Sequence, residues 1–449
     1  MSAFLPFKLT PNEISGNGHC CVWMRKETML RLGIKGMHVA ICAGKSNVNA
    51  EILPADIPAD QILFSTRLFS ELRLPVKDYK FLVRFSEESN SLSFGPVIAV
   101  LTEITGETVP SFRSIHSFCE ELHDGISGNA GFFYVFSLQH FSDECISGYY
   151  YEQENWKMDS LPFPDIVYNR IHSRKAESTK GFAQFAQKLN ERKIHLFNHR
   201  FLSKWEVHEL LEVEGYLGPY LPSTCLYTPE HLEHMLELYD DLYLKPVQGS
   251  QGRRIIRILK KDNQICADFS STKDRSQFIF TDIASAISKV KTNINDKPFI
   301  IQHGIELLEL DGRRLDFRVL CHKTREHMWK VSSVVARIAA ENHFVSNVAQ
   351  GGEMIRPLKV LSMAFGPDSA PHQLALIKEL ALEAAGIISK SSGGLTGELG
   401  IDIGADISGR LWIIEVNSKP SKSFEEKRSP IRPSAKAIIN FCNGLYTIS

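Results

Sequence analysis

Leu242-Tyr243-Leu244-Lys245-Pro246-Val247-Gln248-Gly249-Ser250-Gln251-Gly252-Arg253 is the stretch whose reading decides the C-terminal half of the chain. An apolar strand over 239–246 delivers Lys245, a loop with two glycines follows, and a second strand opens at Arg254. Such a loop can fold its amides over an anion while the lysine holds it from below. The plainer alternative is an exposed hairpin with a surface lysine.

Toward the C-terminus, Gly400-Ile401-Asp402-Ile403-Gly404 and Leu411-Trp412-Ile413-Ile414-Glu415-Val416-Asn417 predict a hairpin. Strand alternation places Glu415 and Asn417 on one face and Trp412, Ile414 and Val416 on the other. With a turn over 405–409, Asp402 lies across from 413–415 and shares the acidic face; a one-residue slip would turn it away. Two carboxylates and an amide oxygen repel unless an ion sits between them, and oxygen ligands suit Mg²⁺. A half-exposed hairpin with a polar solvent face gives the same alternation. Between these stretches, Asp316 and Arg318 share a strand face, with Arg337 and Asn347-Val348-Ala349-Gln350-Gly351-Gly352 further on. A cross-strand ion pair, worth at most about 1 kcal/mol if exposed, and an ordinary Gly–Gly turn are the plainer alternatives. The clearest amphipathic helix runs over 373–389, with Leu374, Ile377, Leu380 and Ile387 at helical spacing.

Toward the N-terminus, the pattern changes twice. Residues 95–101, Gly-Pro-Val-Ile-Ala-Val-Leu, predict a buried strand of a parallel sheet, followed by a helix around 111–122 and apolar runs at 131–138 and 162–170. Alternating strand, helix and strand imply a small α/β layer. Before it lie short strands separated by turns. Gly44-Lys45-Ser46 resembles the end of a phosphate-binding loop, but that motif needs glycine at 39 and the residue is Val39. No GxGxxG follows a strand, and neither HExxH nor zinc-like spacing occurs. The 449 residues imply about two to four domains. A net charge of −1 argues against a whole-chain binder of polyanions such as nucleic acid. Nine cysteines without a CxxC pair predict reduced, mostly buried thiols in a cytosolic protein. No signal peptide and no apolar run of about 18 residues are visible, so a membrane span is not expected.

Taken in order, these pieces resemble an ATP-grasp enzyme. The matching run is Ser203-Lys204-Trp205-Glu206-Val207-His208, Lys245 with its glycine loop, Phe299-Ile300-Ile301-Gln302-His303-Gly304, Asp316-Phe317-Arg318, Arg337, Ser346-Asn347, Gly351-Gly352, Asp402 and Glu415-Val416-Asn417. It covers roughly 195–422. The whole chain is more similar to the YheC/YheD endospore coat-associated group of that superfamily. The cues are Gly95-Pro96-Val97-Ile98, Pro164-Asp165-Ile166-Val167-Tyr168-Asn169-Arg170-Ile171, Asp316-Phe317-Arg318-Val319 and Asn417-Ser418-Lys419-Pro420, with a length and β-rich leader that fit the longer member.

The resemblance implies a multidomain α+β / α/β protein: a β-rich N-terminal module (1–94), a small α/β pre-ATP-grasp domain (95–192), and an ATP-grasp domain (193–449). The last comprises two α+β subdomains, 193–300 with a phosphate lid and 301–449 with a Mg²⁺ site. It implies ATP and Mg²⁺ as cofactors. Lys204 and Lys245 would bind phosphates, Gly249, Ser250, Gln251 and Gly252 form the lid, and Gln302, His303, Gly304 and Ile305 form a hinge whose backbone reads adenine. Arg318, Arg337 and Asn347 would be catalytic, the last two facing the transferring phosphate. Asp402, Glu415 and Asn417 would hold the metal. The chain departs from the pattern at His303, where many relatives carry Glu, and at Gly400, where ligases often carry a basic residue. The implied function is a carboxylate–amine ligase acting through an acyl-phosphate on a coat protein or peptide-like precursor, in the mother cell of a sporulating bacterium. A non-catalytic nucleotide-binding coat assembly factor and a phosphotransferase with the same clamp are the alternatives.

Overall fold

Apolar–polar alternation in the first 95 residues closes into a barrel. The strand Tyr79–Ser86 buries Tyr79, Phe81, Val83 and Phe85 and turns the residues between them outward. Leu5–Asn12, Gln61–Ser65, Cys21–Met24, Ser46–Pro54, His38–Ala43, Ser91–Gly95 and Tyr79–Ser86 are neighbours in that order, and the last pairs back to the first. Closure removes the exposed edges that an open sheet would offer to other chains. The structure, a computed structural model, describes residues 4–12, 18–106, 109–249, 253–262, 264–270, 275–340, 352–422 and 431–448.

Gly44 and Lys45 form the tight turn between His38–Ala43 and Ser46–Pro54. Gly44 has φ +58°, and a Cβ there would strike the Phe163 carbonyl. The Lys45 amide donates to that carbonyl at 2.8 Å and its ammonium lies 3.5 Å from Asp165. The lysine of the apparent phosphate motif is therefore spent on docking the barrel against the next layer.

That layer is a six-stranded sheet in the order Asn155–Leu161, Ile146–Glu152, Phe132–Phe136, Val97–Leu101, Ile166–Asn169, His195–Phe197. Val97–Leu101 is buried throughout and parallel to both neighbours, as its unbroken apolar run demands. The helix expected around 111–122 starts later, as His116–Gly128 behind a short 3₁₀ turn. Phe118, Leu122 and Ile126 of this helix pack with Ile438, Ile439, Phe441 and Leu445 of the final helix, Pro433–Ile448. The end of the chain thus completes the core of the second layer, and Arg432, 2.9 Å from Glu121, fixes its approach.

Two further sheets hold the candidate site. In the third, Thr224–Leu226, Phe299–His303, Asp241–Pro246, Ile256–Lys261, Gln264–Ser270 and Arg275–Phe280 lie side by side, packed with helices Pro229–Leu238 and Ile283–Ile294. In the fourth, Glu353–Ile355, Trp329–Ile338, Arg313–Lys323, Glu398–Ala405 and Leu411–Asn417 follow one another. Helices Ala370–Ser391 and Lys204–Glu212 share its core; the former contains the stretch 373–389 read as amphipathic. All nine cysteines are unpaired, but only Cys119, Cys321 and Cys442 are buried, which corrects the expectation of mostly buried thiols. Alternation explains part of this, since Cys21 and Cys42 take the less buried positions of their strands. Among the described residues, no helix is long and apolar enough to cross a membrane.

Candidate functional site

Ser203 starts the helix Lys204–Glu212. Its hydroxyl accepts from the Glu206 amide at 3.1 Å and the Glu206 carboxylate reaches back to the Ser203 amide, a capping box. The Lys204 amide donates to the Val247 carbonyl at 3.0 Å, tying this helix start to the segment after the strand Asp241–Pro246. The Lys204 ammonium then meets Glu415 Oε1 at 2.5 Å. Lys245, on Asp241–Pro246, donates to Gln302 Oε1 at 2.5 Å on the adjacent strand. Lys204, Lys245, Gln302 and Glu415 line one cleft, with Arg174 from the second layer and the apolar side chains of Val207, Leu211, Leu221, Ile300 and Ile413. Apolar walls beside clustered cations suit a ligand with a flat apolar part and an anionic tail.

Beside this cleft lies a compact charged cluster. Asp316 faces Arg337 across the pair of strands, and Arg318 faces Asp402 on the other side. Both Arg337–Asp316 contacts are 2.7 Å, Arg318 Nη2 reaches Asp402 at 2.9 Å, and Arg337 Nη2 lies 3.0 Å from Asp402. All four residues are nearly solvent-free. Burial pushes the Asp402 carboxyl up, but Arg318 and Arg337 together outweigh it and hold the group below the ordinary range. Asp316 goes the other way: burial, with Asp402 nearby, raises it more than Arg337 lowers it. Burial and the neighbouring Lys204 bring Lys245 down to about 8, against the pull of Glu415 and Asp402. A lysine with that pKa sits close to the protonation boundary and gains from an arriving anion.

The hairpin carries a bulge that alternation alone did not foresee. Asp402 pairs with Glu415, whereas Ile403 pairs with Ile413, so Ile414 is the extra residue. Trp412, paired with Gly404, consequently shares the face of Asp402 and Glu415, which corrects its expected placement opposite Glu415. The bulge keeps Asp402 and Glu415 directly across from one another, and the Asn417 amide lies 3.5 Å from Asp402 Oδ2. Among the described residues, no three His, Cys, Asp or Glu side chains cluster as a metal site. The donor chemistry nonetheless fits Mg²⁺: two carboxylates and one amide, all capable of offering oxygen, with room for water and phosphate oxygens to complete the shell.

The hinge is arranged differently from the expectation. The His303 amide donates to Ser223 O at 2.9 Å and the Gly304 amide to Asp241 O at 2.7 Å, so neither is free to read adenine. The His303 ring stacks on Tyr239 at 4.4 Å, and Ile305 is buried. A Cβ at Gly304 would strike the Asp241 carboxylate, which explains the glycine there. Of the glycine loop only Gly249 is described, packed near Pro246; Ser250, Gln251 and Gly252, like Asn347, lie outside the described residues.

Sequence reasoning missed Arg174 and Lys419. Both guanidinium and ammonium stack on Phe201, at 4.6 and 4.5 Å from its centroid, and Lys419 pairs with Glu177. Lys419 falls in a quoted motif; Arg174 sits in a four-residue helix, Arg174–Glu177, with no pattern to mark it.

Residues 193–445 match the sequence model of the YheC/D-like ATP-grasp family. The endospore coat-associated protein YheD of Bacillus subtilis (strain 168) is 29% identical over 375 residues, covering 81% of this chain and 80% of that protein. The endospore coat-associated protein YheC of the same organism is 22% identical over 294 residues, covering 63% of this chain and 78% of that one. Among solved structures, the D-Ala:D-Ser ligase VanG of Enterococcus faecalis aligns with a TM-score of 0.45 and 14% identity, over 78% of this chain and 98% of that one.

Proposed function

The chain belongs to the YheC/D-like ATP-grasp family, and we propose that it is an ATP- and Mg²⁺-dependent carboxylate–amine ligase of the spore coat. In this reading it acts in the mother cell on a coat protein or a peptide-like precursor. The observation that carries it is the convergence of Lys204, Lys245, Gln302 and Glu415 on one cleft beside the Asp402–Arg318–Arg337 cluster.

Phosphoryl transfer needs alignment and charge neutralisation more than covalent help. Lys204 and Lys245 hold the phosphate oxygens of ATP, and Arg337 faces the transferring group from its place between Asp316 and Asp402. Asp402, Glu415 and Asn417 would hold Mg²⁺, which when bound neutralises charge on the phosphates. A substrate carboxylate oxygen attacks the terminal phosphorus, forming an O–P bond while the bond to the bridging oxygen breaks and ADP leaves. An amine then attacks the acyl carbon of the acyl-phosphate, loses a proton, and expels inorganic phosphate.

One observation favours a second reading, a nucleotide-binding coat assembly factor. A Cβ at Gly400 would strike the Pro420 ring, so the basic side chain that many ligases carry there has no room. The test is ADP release against spore-coat extracts, with and without hydroxylamine. A hydroxamate, lost in Glu415→Ala, supports the ligase. ADP release with a stable phosphoester identifies a phosphotransferase. Mg²⁺-dependent stabilisation by ATP without ADP release above the Glu415→Ala background identifies the assembly factor.

A further inference from the structure

The cations around the cleft are neutralised with one exception. Lys204 has Glu415, Arg318 and Arg337 have Asp402 and Asp316, and Lys419 has Glu177. Arg174 has no such partner: among the described residues no carboxylate lies within ion-pair distance, and its Nη1 donates to the Leu202 carbonyl at 2.8 Å. The acid one turn away, Glu177, is already committed to Lys419, to Asn169 Nδ2 at 2.8 Å and to the Phe201 amide at 2.8 Å. Lysine can shed its proton when buried; a guanidinium cannot. Its unpaired charge in a half-buried cleft is therefore unfavourable until an anion arrives.

Arg174 is also held in place. Glu103 accepts from the His172 amide at 2.8 Å and from the Ser173 amide at 2.9 Å, pinning the backbone just before it. Ser173 caps the short helix through the Ala176 amide at 3.2 Å, and the guanidinium rests on the Phe201 ring. Such packing fixes a side chain before its ligand binds.

We propose that Arg174, delivered from the second layer, binds the terminal phosphate of the nucleotide in this cleft. The inference rests on the ATP-dependent reading above and adds a residue to it. The cleft lining presents three cations, Lys204, Lys245 and Arg174, against one carboxylate, Glu415. Two lysines match a diphosphate, and the third cation matches the third phosphate. Glu415 is a metal donor in that reading, and Mg²⁺ bridges the last two phosphates of a nucleotide, so a cation beside Glu415 meets the terminal one. Because the second layer carries this residue, it contacts ATP and loses that contact in ADP.

The test compares Mg²⁺-AMP-PNP with Mg²⁺-ADP by calorimetry on the full chain. Arg174→Gln should weaken AMP-PNP about 10- to 100-fold, the value of a charge-assisted hydrogen bond, and ADP less than about threefold. Arg174→Lys, which keeps the charge, should hold the ratio of the two affinities within about threefold of wild type. The ratio is insensitive to partial misfolding, which lowers both affinities together. An unchanged ratio in Arg174→Gln, with wild type binding both nucleotides, overturns the assignment and leaves the ATP reading intact; it would mean that the arginine meets a substrate carboxylate or only its own fold. Wild type that binds neither nucleotide overturns both.

Discussion

Replacing Glu415 by glutamine should make nucleotide binding stronger without Mg²⁺ and nearly indifferent to Mg²⁺. The Lys204–Glu415 pair is 2.5 Å long, with side chains 14% and 30% exposed. An exposed pair is worth about 0–1 kcal/mol, and removing one partner of a fully buried pair costs about 3–5 kcal/mol. The intermediate exposure puts this contact at about 1–2 kcal/mol. A phosphate that recruits Lys204 must displace Glu415, unless a metal ion takes that carboxylate at the same time. Glu415→Gln removes the competition and also removes a metal donor. ADP in EDTA should then bind the variant about 5- to 30-fold more tightly than wild type. Added Mg²⁺ should strengthen wild-type binding severalfold and change the variant by less than about twofold. Calorimetric titration of both proteins in EDTA and in Mg²⁺ gives the four affinities, with melting curves to establish that the variant folds. Equal affinities in EDTA, together with an intact Mg²⁺ response in the variant, would refute both the exchange of partners at Lys204 and the role of Glu415 as a metal donor.

Lys245 titrates near 8 because burial and Lys204 disfavour its charge, and bound phosphate favours that charge. ADP affinity should therefore fall as pH rises through about 8, and Lys245→Arg, which stays protonated, should flatten the profile; a flat wild-type profile from about pH 7 to 9.5 refutes the assignment. In the fold the ammonium is less favoured than in the unfolded chain, whose lysine titrates near 10.5, so stability without nucleotide should rise with pH between about 8 and 10.5. Glu398, solvent-free, gathers Tyr168, Arg170, His322 and Lys422 onto one carboxylate. Glu398→Ala should cost about 3–5 kcal/mol in urea unfolding, and a loss below about 1 kcal/mol would show that water or rearrangement replaces the acid.

Local pattern was enough wherever the decisive contacts are local. Val97–Leu101 is apolar at every position, and only a strand covered on both faces uses such a run. The hairpin around Lys245 has a proline and a glycine loop after its first strand, and the fold places its two strands in antiparallel pairing. Barrel closure was not legible, because period-two alternation sets which side chains face inward and says nothing about whether the last strand meets the first. The final helix was read from its apolar face, but nothing in that face says that its partner is His116–Gly128, more than 300 residues earlier. Polar-faced strands such as Asn155–Leu161 and Arg275–Phe280 escaped altogether, since exposed strands lack the apolar count that marks a strand.

The candidate site divides along the same line. Glu415 and Asn417 were legible as a pair because residues two apart on a strand share a face. Their relation to Asp402 was not, since it depends on where the bulge falls. With Ile414 as the extra residue, Asp402 opposes Glu415; without a bulge, continuing the register from Ile403 and Ile413 would set Asp402 against Ile414 and turn the two carboxylates to opposite faces. A single looped-out isoleucine therefore decides whether the hairpin can hold a cation. Arg174 is the harder case, for its significance lies entirely in what it lacks: a carboxylate within reach. That absence is a property of the assembled layers, of Glu177 turning to Lys419 and Glu415 to Lys204. No stretch of sequence around Arg174 could encode it, which is why an unpaired buried charge is a better guide to a binding residue than any motif the chain displays there.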